Sequence, residues 1–495
     1  AAPTRPPTRG VAVARAEDGV RLVVDGAPFL VKGVNWDYFP IGTNYNYSLW
    51  NQPDDVIVDA LANEMPLLQR MGVNAIRVYA GIPRKWIEYI HDTYGIYTVL
   101  NHTVGRYGYT LDGTWVANVD YSSSTFRTAV KRELAALVDR YKDTRGLLMW
   151  LYGNENNYGL SWSSFEIEAL PAGERDAARA RFLYSLLGEI IRDTKARDPD
   201  HPVAIANGDL QYIDIIAEEC QGLDVFGANV YRGKSMGDLY DVVRAKLDLP
   251  VMFTEFGADA FDARRGREDD VAQARYLVAQ WREIYEHVAG QGQTGNAIGG
   301  LTFQWSDGWW KYKQEVNLDR HDTNASWPNR GYPDDFVEGG FNMNEEWWGL
   351  CAKGPPDERG LYQLQPRTAY YALKQAYRLS PYAPTTTPAA IAMHFDGIDL
   401  AELAHYYKAD QAAARTADLA KVRLLDAFLV FETYTTGGNA RWARPDVAGG
   451  GSGFDHTETV NATIQVQPTD KIVGTVELNL LGNVAANPID EIFYE

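Results

Sequence analysis

Two short stretches of the chain set a glutamate apart from the acidic surface around it. Gly153-Asn154-Glu155-Asn156-Asn157 follows directly on the apolar run 146–152, and Thr254-Glu255-Phe256-Gly257 closes the apolar run 250–255. Two carboxyl groups facing one cleft can divide the work of breaking a glycosidic bond. One, protonated, gives a proton to the leaving oxygen; the other, ionised, attacks or stabilises the anomeric carbon. A separation of about 5–5.5 Å between them gives retention through a covalent intermediate. One glutamate at the end of a strand means little in a chain with 66 acidic residues. Two of them, at the tips of a fourth and a seventh strand and flanked by Asn-Glu and Glu-Phe-Gly, carry far more weight.

The elements that must position this pair follow from hydrophobic patterning. Apolar runs fall at 29–35, 74–79, 95–100, 146–152, 202–206, 223–230, 250–255 and 298–305. Amphipathic helical stretches lie between them, among them 54–71, 123–142, 172–197 and 267–289. Buried strands alternating with helices predict a parallel sheet with helices outside. A doubly wound open sheet is the rival, but eight successive units closing with a helix at 366–379 favour an α/β fold of the (β/α)8 TIM-barrel type. In such a barrel the site lies at the C-terminal ends of the strands. The expected organisation is a lead-in and hairpin over 1–28, a catalytic barrel over 29–380, a Pro/Thr linker over 381–390 and a small β-rich accessory domain over 391–495. The stretch 306–365 is long for a connection and holds Trp309, Trp310, Trp327, Trp347 and Trp348. It reads as a wall of the cleft, with Trp309 as a substrate contact, or as a plug on the barrel rim.

These residues resemble clan A of the retaining glycoside hydrolases, and within it the barrel domain of glycoside hydrolase family 2. The resemblance rests on GNEN at 153–156, PVMFTEFGAD at 250–259, GVNAIRVY at 72–79 and MNEEWWGLC…QPRTAYYALK within 343–374, and it covers roughly 25–380. Typical members carry β-sandwich domains before the barrel that this sequence does not show, so their galactosides, mannosides and glucuronides do not transfer directly. The resemblance implies Glu155 as acid/base and Glu255 as nucleophile. It implies that Asn154 bonds the sugar 2-hydroxyl and that Arg77 keeps the nucleophile ionised. Tyr231, with Asn229 nearby, would orient Glu255, and Trp305 would floor the sugar before the cut. Trp36, His102, Asn207 and Asp209 fall at the tips of strands one, three and five, where each is either a subsite contact or structural.

Composition bounds the substrate. With 47 basic and 66 acidic residues the formal net charge is −19, which repels phosphate backbones and anionic lipid, so nucleic acid is not an expected partner. A neutral oligosaccharide or polysaccharide suits that surface, and 14 Trp and 30 Tyr supply flat faces for sugar rings as well as core. Cys220 and Cys351 form no metal-ligand spacing; they are one possible bridge or two buried thiols. No P-loop, dinucleotide fingerprint, HExxH or GxSxG is present, so no cofactor and no metal are expected. A first residue that is Ala rather than Met, followed by the flexible lead-in AAPTRPPTRG, suits an exported chain (secreted, periplasmic or on the cell surface) after signal-peptide removal, and equally a trimmed one. The alternating C-terminal strands suit an accessory sugar-binding sandwich, or the start of a larger β-structure, with membrane association only if the natural chain continues beyond residue 495. The reading is a retaining β-glycoside hydrolase or transglycosidase acting on a neutral β-linked glucan or oligosaccharide by double displacement. The alternatives are an inactive carbohydrate-binding barrel, or an exo-acting β-galactosidase, β-mannosidase or β-glucuronidase.

Overall fold

The structure, a computed structural model, describes residues 10–263, 265–324 and 344–408, together with the backbone of strands between 430 and 493. Eight parallel strands close a barrel: β1 (Val31–Asn35), β2 (Ala75–Tyr79), β3 (Tyr97–His102), β4 (Leu147–Tyr152), β5 (Val203–Gly208), β6 (Val225–Asn229), β7 (Val251–Phe256) and β8 (Ala297–Thr302). All eight coincide with the apolar runs of the sequence. Every residue of β4, Leu-Leu-Met-Trp-Leu-Tyr, is buried, as expected of a strand covered on one side by helices and on the other by the barrel interior. Outside run α1 (Asp54–Met71), α2 (Arg84–Tyr94), α3 (Ser124–Tyr141), α4 (Arg175–Arg197), α5 (Ile213–Glu219), α6 (Leu239–Leu247), α7 (Asp270–Glu286) and α8 (Thr368–Ala376). Local chemistry marks their ends. Gly72 stops α1 in a left-handed conformation, while the Ser123 and Asp269 side chains accept from the first-turn amides of α3 and α7.

The barrel has one open end. Strands Val11–Ala16, Gly19–Val24 and Ala27–Phe29 form a small antiparallel sheet, with turns at Glu17-Asp18 and Asp25-Gly26. Val11, Leu22 and Val24 join one buried cluster with the interior residues Val31, Ala75, Met149, Met252 and Leu301. Backbone bonds from Val11 to Asp200 and from Val20 to Gly295 tie this sheet to the segments that lead into β5 and β8. It therefore covers the N-terminal end of the barrel, and the C-terminal end is left for chemistry.

Both segment 381–390, read as a Pro/Thr linker, and the helix Pro388–Asp396 pack against the barrel. Gln291 donates to the carbonyls of Pro381 and Thr386, Ile391 and Phe395 enter the barrel's outer core, and Arg282 of α7 pairs with Asp396 at 2.7 Å. The helical segment 400–408 continues this packing through Leu403 and Tyr407, whose hydroxyl meets Glu268. Further on, strands Val430–Tyr434, Ala440–Ala443, Asn461–Val466, Gly474–Asn479 and Ile492–Phe493 form one five-stranded sheet. Its hairpin pairs Asn461 with Asn479 and Val466 with Gly474. Trp327 lies outside the described residues. Cys220 and Cys351 are free and buried.

Candidate active site

Strand register brings the site together. Asn35 of β1 lies level with Arg77 of β2, and Asn229 of β6 lies level with Glu255 of β7, after a register shift between Ala228 and Asn229. Glu155 follows β4 by three residues. Gly153 makes the approach possible: its φ is +80°, and a Cβ there would come within 2.8 Å of Asn156 Oδ1. That same Asn156 oxygen accepts from the Asn154 amide at 2.8 Å, so the Gly-Asn-Glu-Asn order closes a tight turn on itself.

Arg77 is the hub. Its guanidinium is buried, and Nη1 donates to Glu255 Oε1 at 2.7 Å while Nη2 donates to Asn154 Oδ1 at 2.8 Å. Nε donates to Asn101 Oδ1 at 2.8 Å, and Nη1 also reaches Asn35 Oδ1 at 3.1 Å. The second oxygen of Glu255 accepts from the Tyr231 hydroxyl at 3.0 Å. A guanidinium and a phenol thus each donate to one oxygen of Glu255 and fix the carboxyl in place.

Glu155 has different company. Its Oε1 accepts only a neutral amide, Asn229 Nδ2 at 3.1 Å. Burial pushes its carboxyl up to about 7, and the charge of Glu255 adds to the effect. A carboxyl pushed up by burial beside one bonded to a guanidinium and a phenol is the difference in surroundings that a general acid and a nucleophile of the same residue type require. Asn229 Nδ2 also donates to Asn154 Oδ1 at 3.0 Å, so a continuous chain of hydrogen bonds runs Glu155–Asn229–Asn154–Arg77–Glu255.

Six of the residues named from sequence thus meet in one network: Arg77, Asn154, Glu155, Asn229, Tyr231 and Glu255. Others pack away from it, and strand alternation explains two of them. Asn35 and Asn101 point inward to Arg77, so their neighbours Trp36 and His102 point outward. Trp36 donates to Glu64 of α1 at 2.7 Å, and His102 meets Glu133 of α3 at 3.2 Å. Asn207 braces the loop after β5, accepting from Tyr184 and donating to the carbonyls of Asp209 and Gln211. Asp209 pairs with Arg232. Trp305 is 0% exposed and packs toward Tyr370 of α8, so it offers no surface to a sugar. Trp309 remains partly exposed at the rim. Its ring lies parallel to His321 at 4.4 Å, and His321 in turn lies parallel to Trp347 at 3.7 Å.

Sequence reading missed Tyr107, whose hydroxyl accepts from Asn154 Nδ2 at 2.5 Å, and Tyr79, which meets Arg77 at 3.3 Å. Both rings are exposed, at 58% and 42%, as is Tyr158 beyond Glu155 at 55%. Asn35 and Asn101 carried a signal that could have found them, since asparagine recurs within two residues of the ends of β1, β3, β4, β5 and β6. Among the described residues no cluster of three or more His, Cys, Asp or Glu could hold a metal ion. No described helix is long and apolar enough to cross a membrane.

No family model matches this chain, and no curated protein matches it. Similar solved structures include the Parabacteroides merdae β-glucuronidase with glycerol in its active site, at 13% identity over 75% of this chain and 40% of that one, with a TM-score of 0.46. The Bacteroides uniformis β-glucuronidase 2 covalently bound to cyclophellitol-6-carboxylate aziridine gives 14%, 74%, 37% and 0.47. The Bifidobacterium dentium β-glucuronidase complexed with coumarin-3-O-glucuronide gives 18%, 75%, 50% and 0.45. This chain therefore spans half or less of the length of each. The α/β barrel rests on its own strand order rather than on these similarities.

Proposed function

We propose that the chain is a retaining β-glycoside hydrolase acting on a neutral β-linked glucan or oligosaccharide. The observation that carries this reading is the split between the two glutamates: Glu255 bonded to Arg77 and Tyr231, Glu155 bonded to an amide and pushed up to about 7 by burial. Glu155 protonates the glycosidic oxygen as Glu255 Oε attacks the anomeric carbon; the carbon–oxygen bond to the leaving group breaks and a glycosyl ester forms on Glu255. Glu155, now ionised, takes a proton from the incoming hydroxyl, which displaces Glu255 and restores both groups. Asn154 has its oxygen occupied by Arg77 and Asn229, which leaves its amide hydrogens to Tyr107 and to a sugar hydroxyl.

The exposed rings of Tyr79, Tyr107 and Tyr158 around the pair favour a saccharide with more than one unit, and with it a sugar hydroxyl as acceptor in place of water. Proton NMR of the anomeric signals during turnover of β-linked oligosaccharides tests both readings. Initial release of β-anomer supports retention, and new glycosidic signals support transfer. Initial release of α-anomer would overturn the double displacement.

A further inference from the structure

On the Glu155 side of the mouth, three large side chains are each seated against a glycine. In the excursion after β3, strands Tyr109–Leu111 and Thr114–Val116 form a hairpin that pairs Thr110 with Trp115. Tyr109 anchors it on α3, its hydroxyl donating to Glu133 at 2.6 Å and its ring standing edge-on to Phe126. Trp115 lies on the opposite face by strand alternation. Its indole rests on Gly108, where a Cβ would overlap the ring, and it stays 61% exposed. Tyr158 rests in the same way on Gly208, the last residue of β5. Arg106 Nη1 lies against Gly159, 2.9 Å from where a Cβ would stand, and the guanidinium covers the Tyr107 ring, 5.6 Å from its centre.

Hydrogen bonds place these positions around Glu155. The Tyr107 hydroxyl accepts from Asn154 Nδ2, so Arg106 and Gly108, its chain neighbours, stand beside the segment that carries the acid. Tyr158 and Gly159 belong to the short turn Asn156–Gly159 that follows Glu155, and the Tyr158 amide donates to the Glu155 carbonyl at 2.9 Å. Among the described residues the Arg106 side chain makes no ion pair, and its Nε is buried without a hydrogen-bond partner. Arg232, by contrast, is paired with Asp209 and Asp238, and Arg77 is committed to Glu255 and Asn154. A guanidinium with its donors unspent, set beside exposed rings, is equipped for a ligand.

We propose that Arg106, Trp115 and Tyr158 form the subsite for the leaving sugar unit, which an incoming acceptor then reuses. The proposal rests on the glycosidase reading of the pair. An acid that protonates the glycosidic oxygen has the leaving group on its own side, so that unit meets what borders Glu155 rather than what borders Glu255. A pyranose carries hydroxyl oxygens around its edge and C–H groups on its faces. The planar fork of Arg106 donates to neighbouring hydroxyls. Trp115 and Tyr158, both more than half exposed, offer ring faces that the fold itself leaves in water. Because each ring is already seated on a glycine, little freedom is lost when a sugar covers it. A methyl group on Gly108, Gly159 or Gly208 would displace one of the three side chains.

The test uses the whole chain, with β-linked disaccharides of glucose, galactose or mannose beside the 2,4-dinitrophenyl β-glycoside of the same sugar. Arg106→Gln and Trp115→Ala, with melting curves matching the wild type, should each lower kcat/KM on the disaccharide about 10-fold more than on the dinitrophenyl glycoside, chiefly through KM. Arg106→Lys keeps the charge beside Glu155 but loses the fork, so it should behave like Arg106→Gln rather than like the wild type. With Glu255 loaded by a 2-deoxy-2-fluoroglycosyl probe, the disaccharide concentration that half-saturates reactivation should rise by a similar factor in both the Arg106→Gln and Trp115→Ala variants. If either variant changes the ratio of the two substrates by less than about 2-fold while Glu255→Ala is inactive, the subsite is overturned and the glycosidase reading stands. An Arg106→Lys variant equal to the wild type would also overturn it, since charge alone would then suffice. If no glycoside reacts and the probe leaves Glu255 unlabelled, the glycosidase reading fails and the subsite falls with it.

Discussion

The β7 and β4 sides of the barrel mouth hold the same functional group in opposite electrical company. On the β7 side, Glu255 receives a buried guanidinium and a phenol. On the β4 side, Glu155 receives one amide and the repulsion of its partner. Neither glutamate owes its role to its own chemistry. Residues on β2 and β6, and the loop after β6, set the difference, so one side chain type can serve as both acid and nucleophile.

The most damaging way to break this asymmetry is Glu255→Ala, which should lower kcat on an aryl glycoside by about 10⁴-fold or more; activity within tenfold of wild type would remove the nucleophile. Next is Glu155→Ala. It should cost about 10³-fold on substrates with poor leaving groups and less than about 10-fold on dinitrophenyl glycosides, because a good leaving group needs no proton. Equal losses on both would deny the acid role. Tyr231→Phe removes one of the two donors to Glu255 and should lower kcat by about 10-fold while the melting temperature stays near wild type. The smallest effect is on pH dependence. Glu155 loses its proton as pH rises through about 7, so kcat/KM on poor leaving groups should fall above that value. A plateau extending to pH 9 would mean the β4 side is not the acid.

Stability should follow the same sign. Glu64, Glu155 and Glu346 are all pushed up by burial, to about 7, 7 and 8. A carboxyl raised above its unfolded value binds more protons in the folded state, so its stabilisation is complete below the unfolded value and is lost as pH rises through the folded one. Melting temperature should therefore fall between pH 5 and 8. Glu64→Gln should flatten part of that slope without removing turnover.

Much of this was legible in the sequence, for physical reasons. Buried parallel strands write themselves as apolar runs, and the ends of those runs locate the mouth, which is how Glu155, Glu255, Arg77 and Asn229 could be named. The choice between adjacent residues was less legible. Trp36 and His102 are chemically more conspicuous than Asn35 and Asn101, yet the period of two along a strand turns them outward, and apolar runs do not mark which parity faces the axis. Tyr107 was hidden for another reason: it reaches Asn154 from the long excursion after β3, where nothing local fixes the path. The helix Pro388–Asp396 was less legible because its Pro/Thr-rich preface looks like a linker, whereas Phe395 meets Tyr285 of α7 and His394 meets the carbonyls of Gln375 and Ala376 of α8 only in three dimensions.

Glu155 is held at φ 55° and ψ 33°, in the left-handed region. A residue with a Cβ held there carries strain of about 1 kcal/mol or more, which glycine or asparagine largely escapes. Burial of a reluctant acid adds to that cost. The position proposed as the acid is therefore one where the folded chain would prefer another residue, and drift toward Gly or Asn would make a firmer barrel without that acid. A lineage that loses the need for this activity should lose Glu155 first, with stability favouring the loss rather than merely tolerating it.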